Sequence, residues 1–393
     1  MLETKHFGIQ LNCGEARSNQ LARTRIAKGD PMTNYALRQQ HLLETLKTDA
    51  FIAVNWEDSD PVSLRYLTGF TGEGSLIISP DHVVLLTDSR YTEQATQETA
   101  DLQIKEGRGW DVKGLFDALT ARNLASCTFA SARASVYWLE ELTKLGTLKL
   151  NSQRDPVAQL RRIKSNDELD HLRAAAKIAD DALAELVPWI KVGMNEAEIA
   201  LQLEMLIRQT GAEGLGFDVN ASAGRNTALN HYSPFHHPAA IKPGDLLLFD
   251  FGTNVHGYRS DMTRTFVVGE PSARDITIYN TVLNANCRAI EAVRAGKTGV
   301  EIDAVARDLI VEAGFGKNFG HGLGHGIGLE VHEAPGLSPL SKDTLEPGMV
   351  VTVEPGIYFT GEGGVRIEDD VVVTETGCEI ITAFPKEELI SVG

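Results

Sequence analysis

Between Asn34 and about Asp155, short apolar runs alternate with stretches of helical period. Tyr35 to Leu46 reads as a helix and Ala50 to Val54 as a buried strand. Ser75 to Ser79 and His82 to Thr87 read as a hairpin around Pro80-Asp81. Further helical stretches lie near residues 91–99, 113–121 and 135–145, with strands between them. That alternation predicts an α/β domain over residues 31–155. Residues 1–30 have no clear period and read as an N-terminal extension. A second domain, residues 156–393, is expected to begin near Pro156. Ser165-Asn166-Asp167-Glu168 is a capping box opening a long helix that Pro188 ends. Asn195 to Glu198 repeats the device before a helix that reaches Arg208 and stops at Gly211.

Further on, two apolar strands each end in an acid. Leu246 to Gly252 carries Asp250, and Ser260 to Val268 returns with Asp261 at its start. A turn centred between Val255 and His256 places Asp250 directly opposite Asp261, with Cβ atoms roughly 4.5–5.5 Å apart. Val350 to Glu354 and Val365 to Val373 flank Thr360-Gly361-Glu362-Gly363-Gly364, a strong turn signal, so Glu354 faces Glu368 about Gly361. Lys242-Pro243-Gly244 precedes one hairpin and Glu346-Pro347-Gly348 the other. The first acid follows each proline by seven residues, and the second follows Arg259 or Arg366 by two. This predicts a domain of two related halves with the acids where they meet, its helices covering the outer face of the sheet.

Like charges so placed repel each other unless cations neutralise them. A histidine-bearing stretch accompanies them. In Gly320-His321-Gly322-Leu323-Gly324-His325-Gly326-Ile327-Gly328 every even position is glycine, which leaves one face of an extended chain bare for close approach of another backbone. The glycine offsets do not match a dinucleotide fingerprint. Four paired carboxylates beside one imidazole, His325, suit two hard or borderline divalent cations and hydrolysis by a metal-activated water. His321 is open between a role behind the ligands and simple packing. His-Glu-x-x-His and Gly-x-Ser-x-Gly are absent, which removes zincin and serine-hydrolase readings.

Composition narrows the partners. A net charge of −17 over 393 residues argues against nucleic acid or an anionic membrane as partner. No apolar run approaches the ~20 residues of a membrane span, and the first residues lack a charged-then-apolar signal pattern. Cys13, Cys127, Cys287 and Cys378 are widely spaced, which predicts reduced thiols and a cytoplasmic protein.

The whole constellation resembles the "pita-bread" metallopeptidases, the fold shared by methionine aminopeptidase, aminopeptidase P, prolidase and creatinase. The resemblance rests on the Asp-x10-Asp hairpin, His321 to Gly328, Val353-Glu354-Pro355-Gly356 and Arg366-Ile367-Glu368-Asp369. Arg65 to Gly72 and Thr87 to Tyr91 resemble signatures of the creatinase-like N-terminal domain. The implied class is α+β: a C-terminal pita-bread catalytic domain preceded by an α/β creatinase-like domain. The resemblance implies two divalent metal ions per chain, Mn²⁺ first, with Co²⁺, Zn²⁺ or Fe²⁺ as alternatives. Asp250 would chelate one ion, Asp261 and Glu368 would bridge both, and His325 and Glu354 would complete the other site. Glu354 would also shuttle protons. His231 and His332 match the family's two active-site histidines that are not ligands, and Tyr358 and Arg366 match positions behind the ligands.

Methionine aminopeptidase usually lacks the first domain, and creatinase lacks the metal ligands. The implied activity is therefore that of an Xaa-Pro aminopeptidase of the small bacterial type, acting on proline-containing peptides through attack by a metal-bound hydroxide. An Xaa-Pro dipeptidase (prolidase) is the alternative, and a non-catalytic peptide-binding scaffold of the same fold is the rival of another class. A homodimer is implied as well.

Overall fold

The computed structural model describes residues 31–99, 102–107 and 111–393. The expected extension at residues 1–30, with Cys13, lies outside them. The chain divides after Arg162 into two compact units.

The first unit holds helices α1 (Pro31–Glu44), α2 (Pro61–Thr68), α3 (Thr92–Glu98), α4 (Val112–Thr120), α5 (Val136–Leu145) and α6 (Pro156–Leu160). Its strands are β1 (Ala50–Asn55), β2 (Gly74–Ser79), β3 (His82–Thr87), β4 (Gln103–Glu106), β5 (Ser126–Ala130) and β6 (Lys149–Gln153). They form one mixed sheet in the order β4-β3-β2-β1-β5-β6. Strands β2 and β3 pair antiparallel with Ser79 opposite His82, the hairpin predicted around Pro80-Asp81. β1 and β2 are buried along their whole length, which is why they read as unbroken apolar runs. Ile52, Val54, Ile77 and Val84 meet Leu119 and Trp138 in the core. Helix α2 is an addition to the sequence reading. Its signals are an N-cap, Asp60 accepting from the Ser63 N–H, and Pro61 in the first turn. It ends at Gly69, whose φ of +82° suits a residue without Cβ.

The second unit repeats one plan twice. Helices α7 (Asn166–Leu186) and α8 (Glu196–Gln209) precede β7 (Gly214–Leu215), β8 (Asn220–Ala223), β9 (Leu246–Phe251), β10 (Thr253–Val255), β11 (Tyr258–Arg259) and β12 (Met262–Val268). Helices α9 (Ala273–Ala292) and α10 (Gly299–Glu312) then precede β13 (Gly324–Gly326), β14 (Glu333–Leu337), β15 (Val350–Val353), β16 (Gly356–Phe359), β17 (Gly363–Arg366) and β18 (Asp369–Val373). β19 (Cys378–Ile380) and β20 (Ser391–Val392) follow. The larger sheets run β20-β12-β9-β8 and β14-β13-β15-β18-β19; β11-β10-β7 and β16-β17 are smaller. All four helices open with a capping box, at Ser165/Glu168, Asn195/Glu198, Ser272/Asp275 and Thr298/Glu301.

Each helix pair packs on the sheet of its own half. Leu183, Leu203 and Ile207 meet Leu247, Phe249 and Phe251, the odd positions of β9. Period-two alternation therefore turns Asp250 to the opposite face. In the other half Val282 and Ile302 share a core with Val351, Val353 and Val371. Each such side chain, once buried, contributes roughly 1.5–3 kcal/mol. No helix among the described residues is long and apolar enough to cross a membrane.

Candidate metal centre

The hairpin of β9 to β12 departs from its expected register. Asn254 pairs with Arg259 and Val255 with Tyr258, so His256 and Gly257 alone form the turn. Their φ values, +49° and +80°, are those of a two-residue type I′ turn, whose twist matches that of the flanking strands. The centre thus lies one residue later than expected. Asp250 faces Thr263, and Met262 faces Phe251. Asp250 and Asp261 are consequently diagonal neighbours on one face instead of a directly opposed pair. A shift of two positions keeps both side chains on that face.

The second hairpin keeps its expected register. Val353 pairs with Asp369 on one side of the acids, and Gly356 pairs with Arg366 on the other. Both pairings set Glu354 opposite Glu368 about Gly361. The ladder nonetheless breaks there into β15-β18 and β16-β17, because Pro355 has no N–H to donate. The two freed backbones reach outward: the Glu354 N–H donates to the Leu323 carbonyl at 2.8 Å, and the Glu368 N–H to the Thr263 carbonyl at 3.1 Å. That last bond joins the two halves.

The glycine-rich stretch behaves as its spacing predicts. A Cβ on Gly324 would lie 2.0 Å from the Thr352 carbonyl oxygen, and one on Gly326 would lie 2.5 Å from that of Ala334. Bare glycines let β13 enter between β14 and β15 and bring His325 to the acids. The His325 backbone N–H donates to Thr352 Oγ1 at 3.1 Å. Its Nδ1 is 3.1 Å from the Gly326 carbonyl oxygen, which assigns the proton to Nδ1 and leaves the Nε2 lone pair free. That Nε2 is 3.7 Å from Asp261 Oδ2 and 3.4 Å from Glu354 Oε1. Burial, reinforced by His332, pushes the His325 imidazole down to about 4, so it is neutral at pH 7.

Asp261, His325 and Glu368 each offer a ligand atom within 4.8 Å of the others. The acids are held well above their ordinary range. For Asp261 the causes are burial, then Glu368 and Asp250; for Glu368 they are burial, then Glu354 and Asp250. Burial raises Glu354 to about 8, with Arg366 opposing and Asp250 reinforcing it. Asp250 is raised by burial against the pull of Arg366. Asp261 Oδ1 is buried without a hydrogen-bond partner. Crowded carboxylates, an orphaned oxygen and a neutral imidazole fit divalent cations, which would neutralise the acids and complete their coordination.

Arg366 ties the two hairpins together. It donates from Nη2 to Asp250 Oδ2 in a very short contact, from Nη1 to Tyr358 Oη at 3.0 Å and from Nε to Thr263 Oγ1 at 2.9 Å. Thr263 Oγ1 in turn donates to Glu368 Oε2 at 2.6 Å. Tyr358 Oη lies 3.0 Å from His321 Nε2, whose Nδ1 is 2.7 Å from the Gly322 carbonyl oxygen. Burial pushes His321 down to about 4. His321 therefore ends a hydrogen-bond chain leading from Asp250 through Arg366 and Tyr358. His332 is exposed and sets its ring 4.4 Å, centroid to centroid, from that of His325. His231 is exposed and near enough to Asp250 to act on its charge.

Several residues at the centre escape the sequence reading. Thr263 and Asp370 continue the alternation that carries Asp261 and Glu368, and that period-two pattern was the available signal. Asp370 Oδ2 accepts the Asp261 backbone N–H at 2.9 Å. Behind them Asp369 is held well below the carboxylate range, where Lys386 and Arg264 overcome burial. Arg264 Nη2 meets Asp369 Oδ1 at 2.8 Å, while its Nη1 reaches the carbonyls of Thr263 and Glu368. This buried ion pair fastens the backbone of Glu368 and that of Thr263, the residue opposite Asp250. Nothing local in the sequence pairs Arg264 with Asp369, since they come from different halves.

Fold and site together define a metal-dependent hydrolytic enzyme. Comparison with known proteins specifies the family. Residues 170–375 match the model of metallopeptidase family M24, and residues 38–163 match that of the creatinase/prolidase N-terminal domain. An uncharacterized peptidase of Bacillus subtilis (strain 168), YqhT, is 41% identical over 84% of this chain and 93% of its own length. The structure of an X-Pro aminopeptidase from Thermotoga maritima MSB8 superimposes with a TM-score of 0.85 at 39% identity, covering 90% of this chain and all of that one. That of an Xaa-Pro dipeptidase from Bacillus anthracis does so equally, with a TM-score of 0.85 at 38% identity, covering 92% of this chain and all of that one. The chain belongs to metallopeptidase family M24. Its second unit has the pita-bread fold, and a creatinase-type domain precedes it.

Proposed function

We propose that this metallopeptidase is an Xaa-Pro aminopeptidase, releasing the N-terminal residue from peptides with proline in second position. The observation that carries a hydrolytic metal site is the convergence of Asp261, His325 and Glu368 within 4.8 Å. The likeness to the Thermotoga X-Pro aminopeptidase supports the bond chosen. A strict Xaa-Pro dipeptidase is the second reading, favoured by the likeness to the Bacillus anthracis enzyme. A dipeptidase must also recognise the C-terminal carboxylate of its two-residue substrate. Arg366, the buried cation beside the acids, is tied to Thr263, Tyr358 and Asp250, and the length of peptide that is cleaved separates the two readings.

Asp250 would hold one divalent cation, Asp261 and Glu368 would share both, and His325 and Glu354 would hold the other. A carboxylate-rich set with one imidazole suits Mn²⁺, with Co²⁺, Zn²⁺ and Fe²⁺ as rivals. The bound cations would polarise the scissile carbonyl and supply an acidified water. Glu354 takes a proton from the attacking water and hands it to the proline nitrogen, a base that becomes an acid. His231 and His332 donate to the scissile carbonyl oxygen as negative charge develops on it. Arg366, through Tyr358 and His321, keeps Asp250 in place. The wide spacing of the cysteines supports a cytoplasmic setting; the same reading makes the enzyme a homodimer.

Product analysis of the Mn²⁺-loaded protein tests this reading. Xaa-Pro-Zaa should yield free Xaa, and N-acetylated Xaa-Pro-Zaa should be a poor substrate. Cleavage of Xaa-Pro with tripeptides untouched transfers the assignment to the dipeptidase. Equal rates on Xaa-Ala-Zaa overturn the proline requirement. No cleavage of any of these peptides leaves the scaffold reading.

A further inference from the structure

Glu196 opens α8 and is completely buried, yet no cation touches it among the described residues. It does not serve the helix cap, which Asn195 and Glu198 complete between them. Its carboxylate gathers donors from one loop instead. Oε1 accepts from the Ala223 N–H at 2.7 Å and from Asn226 Nδ2 at 2.9 Å. Oε2 accepts from the Ala239 N–H at 2.7 Å and from the Tyr232 hydroxyl at 2.6 Å. Ala223 and Ala239 are the two roots of the segment 224–238, and Asn226 and Tyr232 lie inside it. One side chain therefore closes both ends of the segment and grips its middle. The Glu196 N–H donates back to the Ala239 carbonyl at 3.0 Å, which makes that root reciprocal.

A buried anion persists where hydrogen bonds replace its hydration, and here the bonds all come from this loop. Burial of large apolar side chains contributes little to holding the segment. Its large apolar side chains Leu229 and Phe235 are 52% and 50% exposed. His231 is the residue next to Tyr232. The grip on Tyr232 thus sets where the imidazole stands relative to Asp250.

We propose that Glu196 is a positioning residue, holding the segment 224–238 by its roots and by Tyr232 so that His231 meets the substrate. The proposal rests on the reading of His231 as a group that contacts the scissile carbonyl. Misplacement of such a contact by about an ångström costs on the order of 10²-fold in rate.

Glu196→Gln in the metal-loaded full chain tests it. Glutamine keeps the length but turns one acceptor oxygen into an amide nitrogen facing donors. Turnover number should fall roughly 10- to 100-fold, with KM and metal content little changed and hydrogen exchange raised across 224–238. In a His231→Ala background the Glu196→Gln loss should vanish, because both changes remove one contact. Tyr232→Phe deletes a single hydroxyl and covers the case in which Glu196→Gln does not fold. It should give a smaller loss with the same dependence on His231. Losses that multiply in the double variant overturn the proposal, as does unchanged exchange across 224–238. Wild-type turnover in His231→Ala alone overturns the reading of His231, and the catalytic part of the proposal with it. Exchange reports on the anchor separately, so the two failures are distinguishable.

Discussion

The two acid-bearing hairpins share a layout but not a geometry. The first turns on two residues, His256 and Gly257, and keeps one register from Leu246 to Val267, although its ladder divides at Gly252 and Asp261 into β9-β12 and β10-β11. Its aspartates sit diagonally, with Thr263 opposite Asp250. The second turns around Gly361 and opens at Pro355, where Glu354 and Glu368 face each other and their backbones bond elsewhere. The first hairpin holds one short acid, Asp250, within its ladder and the other, Asp261, at the break, where the Asp261 N–H donates to Asp370. The second places long acids at a gap in the ladder, where their side chains can reach across. Even their matching arginines diverge. Arg259 donates to the Gly216 carbonyl within its own half, whereas Arg366 crosses to Asp250 and Thr263. Duplication supplies the scaffold, and the departures from it make the site.

The largest expected effect separates an acid that holds cations from one that also moves protons. Asp261→Ala should lose both cations and with them nearly all activity, read by metal analysis. Glu354→Gln should lower the turnover number by about 10²–10⁴ while KM changes little, the scale of general acid–base catalysis. Equal metal loss in both variants would erase the distinction between the hairpins.

A smaller change addresses the threonines. Thr263→Val removes the bond to Glu368 and the acceptor for Arg366, so metal affinity should fall about 10- to 100-fold. Thr352 has weaker links, 3.3 Å to Glu354 and 3.1 Å from the His325 N–H. Thr352→Val should cost less. Metal titration of the two variants ranks them, and the reverse order would place the stiffer support in the second half.

Cation removal should reveal the crowding of acids as a pH slope. Glu354 lies at about 8, and Asp261 and Glu368 lie well above their ordinary values, chiefly through burial. A carboxyl whose folded value exceeds its unfolded one, about 4, binds its proton more tightly when folded. Its stabilisation is complete below the unfolded value and is lost as pH rises through the folded one. Chelated protein should therefore lose melting temperature steadily from about pH 5 to above pH 8. Metal-loaded protein should lack that decline, since cations replace the protons. Parallel curves with and without chelator would show that the acids are not paired through cations.

The smallest effect concerns a turn. Gly361 has φ +79° and open space where a Cβ would go. Gly361→Ala should cost about 1–2 kcal/mol from the left-handed backbone alone and leave turnover unchanged, since the register is carried by β15-β18. A loss of activity would show that the turn itself sets the position of Glu354.

Local signals made much of this molecule legible from its residues. Capping boxes at Ser165 and Asn195, the Pro80-Asp81 hairpin and the alternating glycines around His325 depend on neighbours within a few positions, and those act the same way wherever the segment lies. The second hairpin was readable because its glycine-rich turn is symmetric about Gly361. The first was misplaced by one residue because His256 takes a left-handed backbone that a histidine seldom adopts. Helix α2 and the capping boxes of α9 and α10 carried local signals too, in Asp60-Pro61, Ser272 and Thr298. What only the tertiary structure decided are the contacts between distant segments: Arg366 with Asp250, Arg264 with Asp369, Glu196 with the loop of His231. Each joins groups that no periodicity links. Each depends on burial, which gives an ion pair or hydrogen bond its strength and is settled by packing of the whole chain.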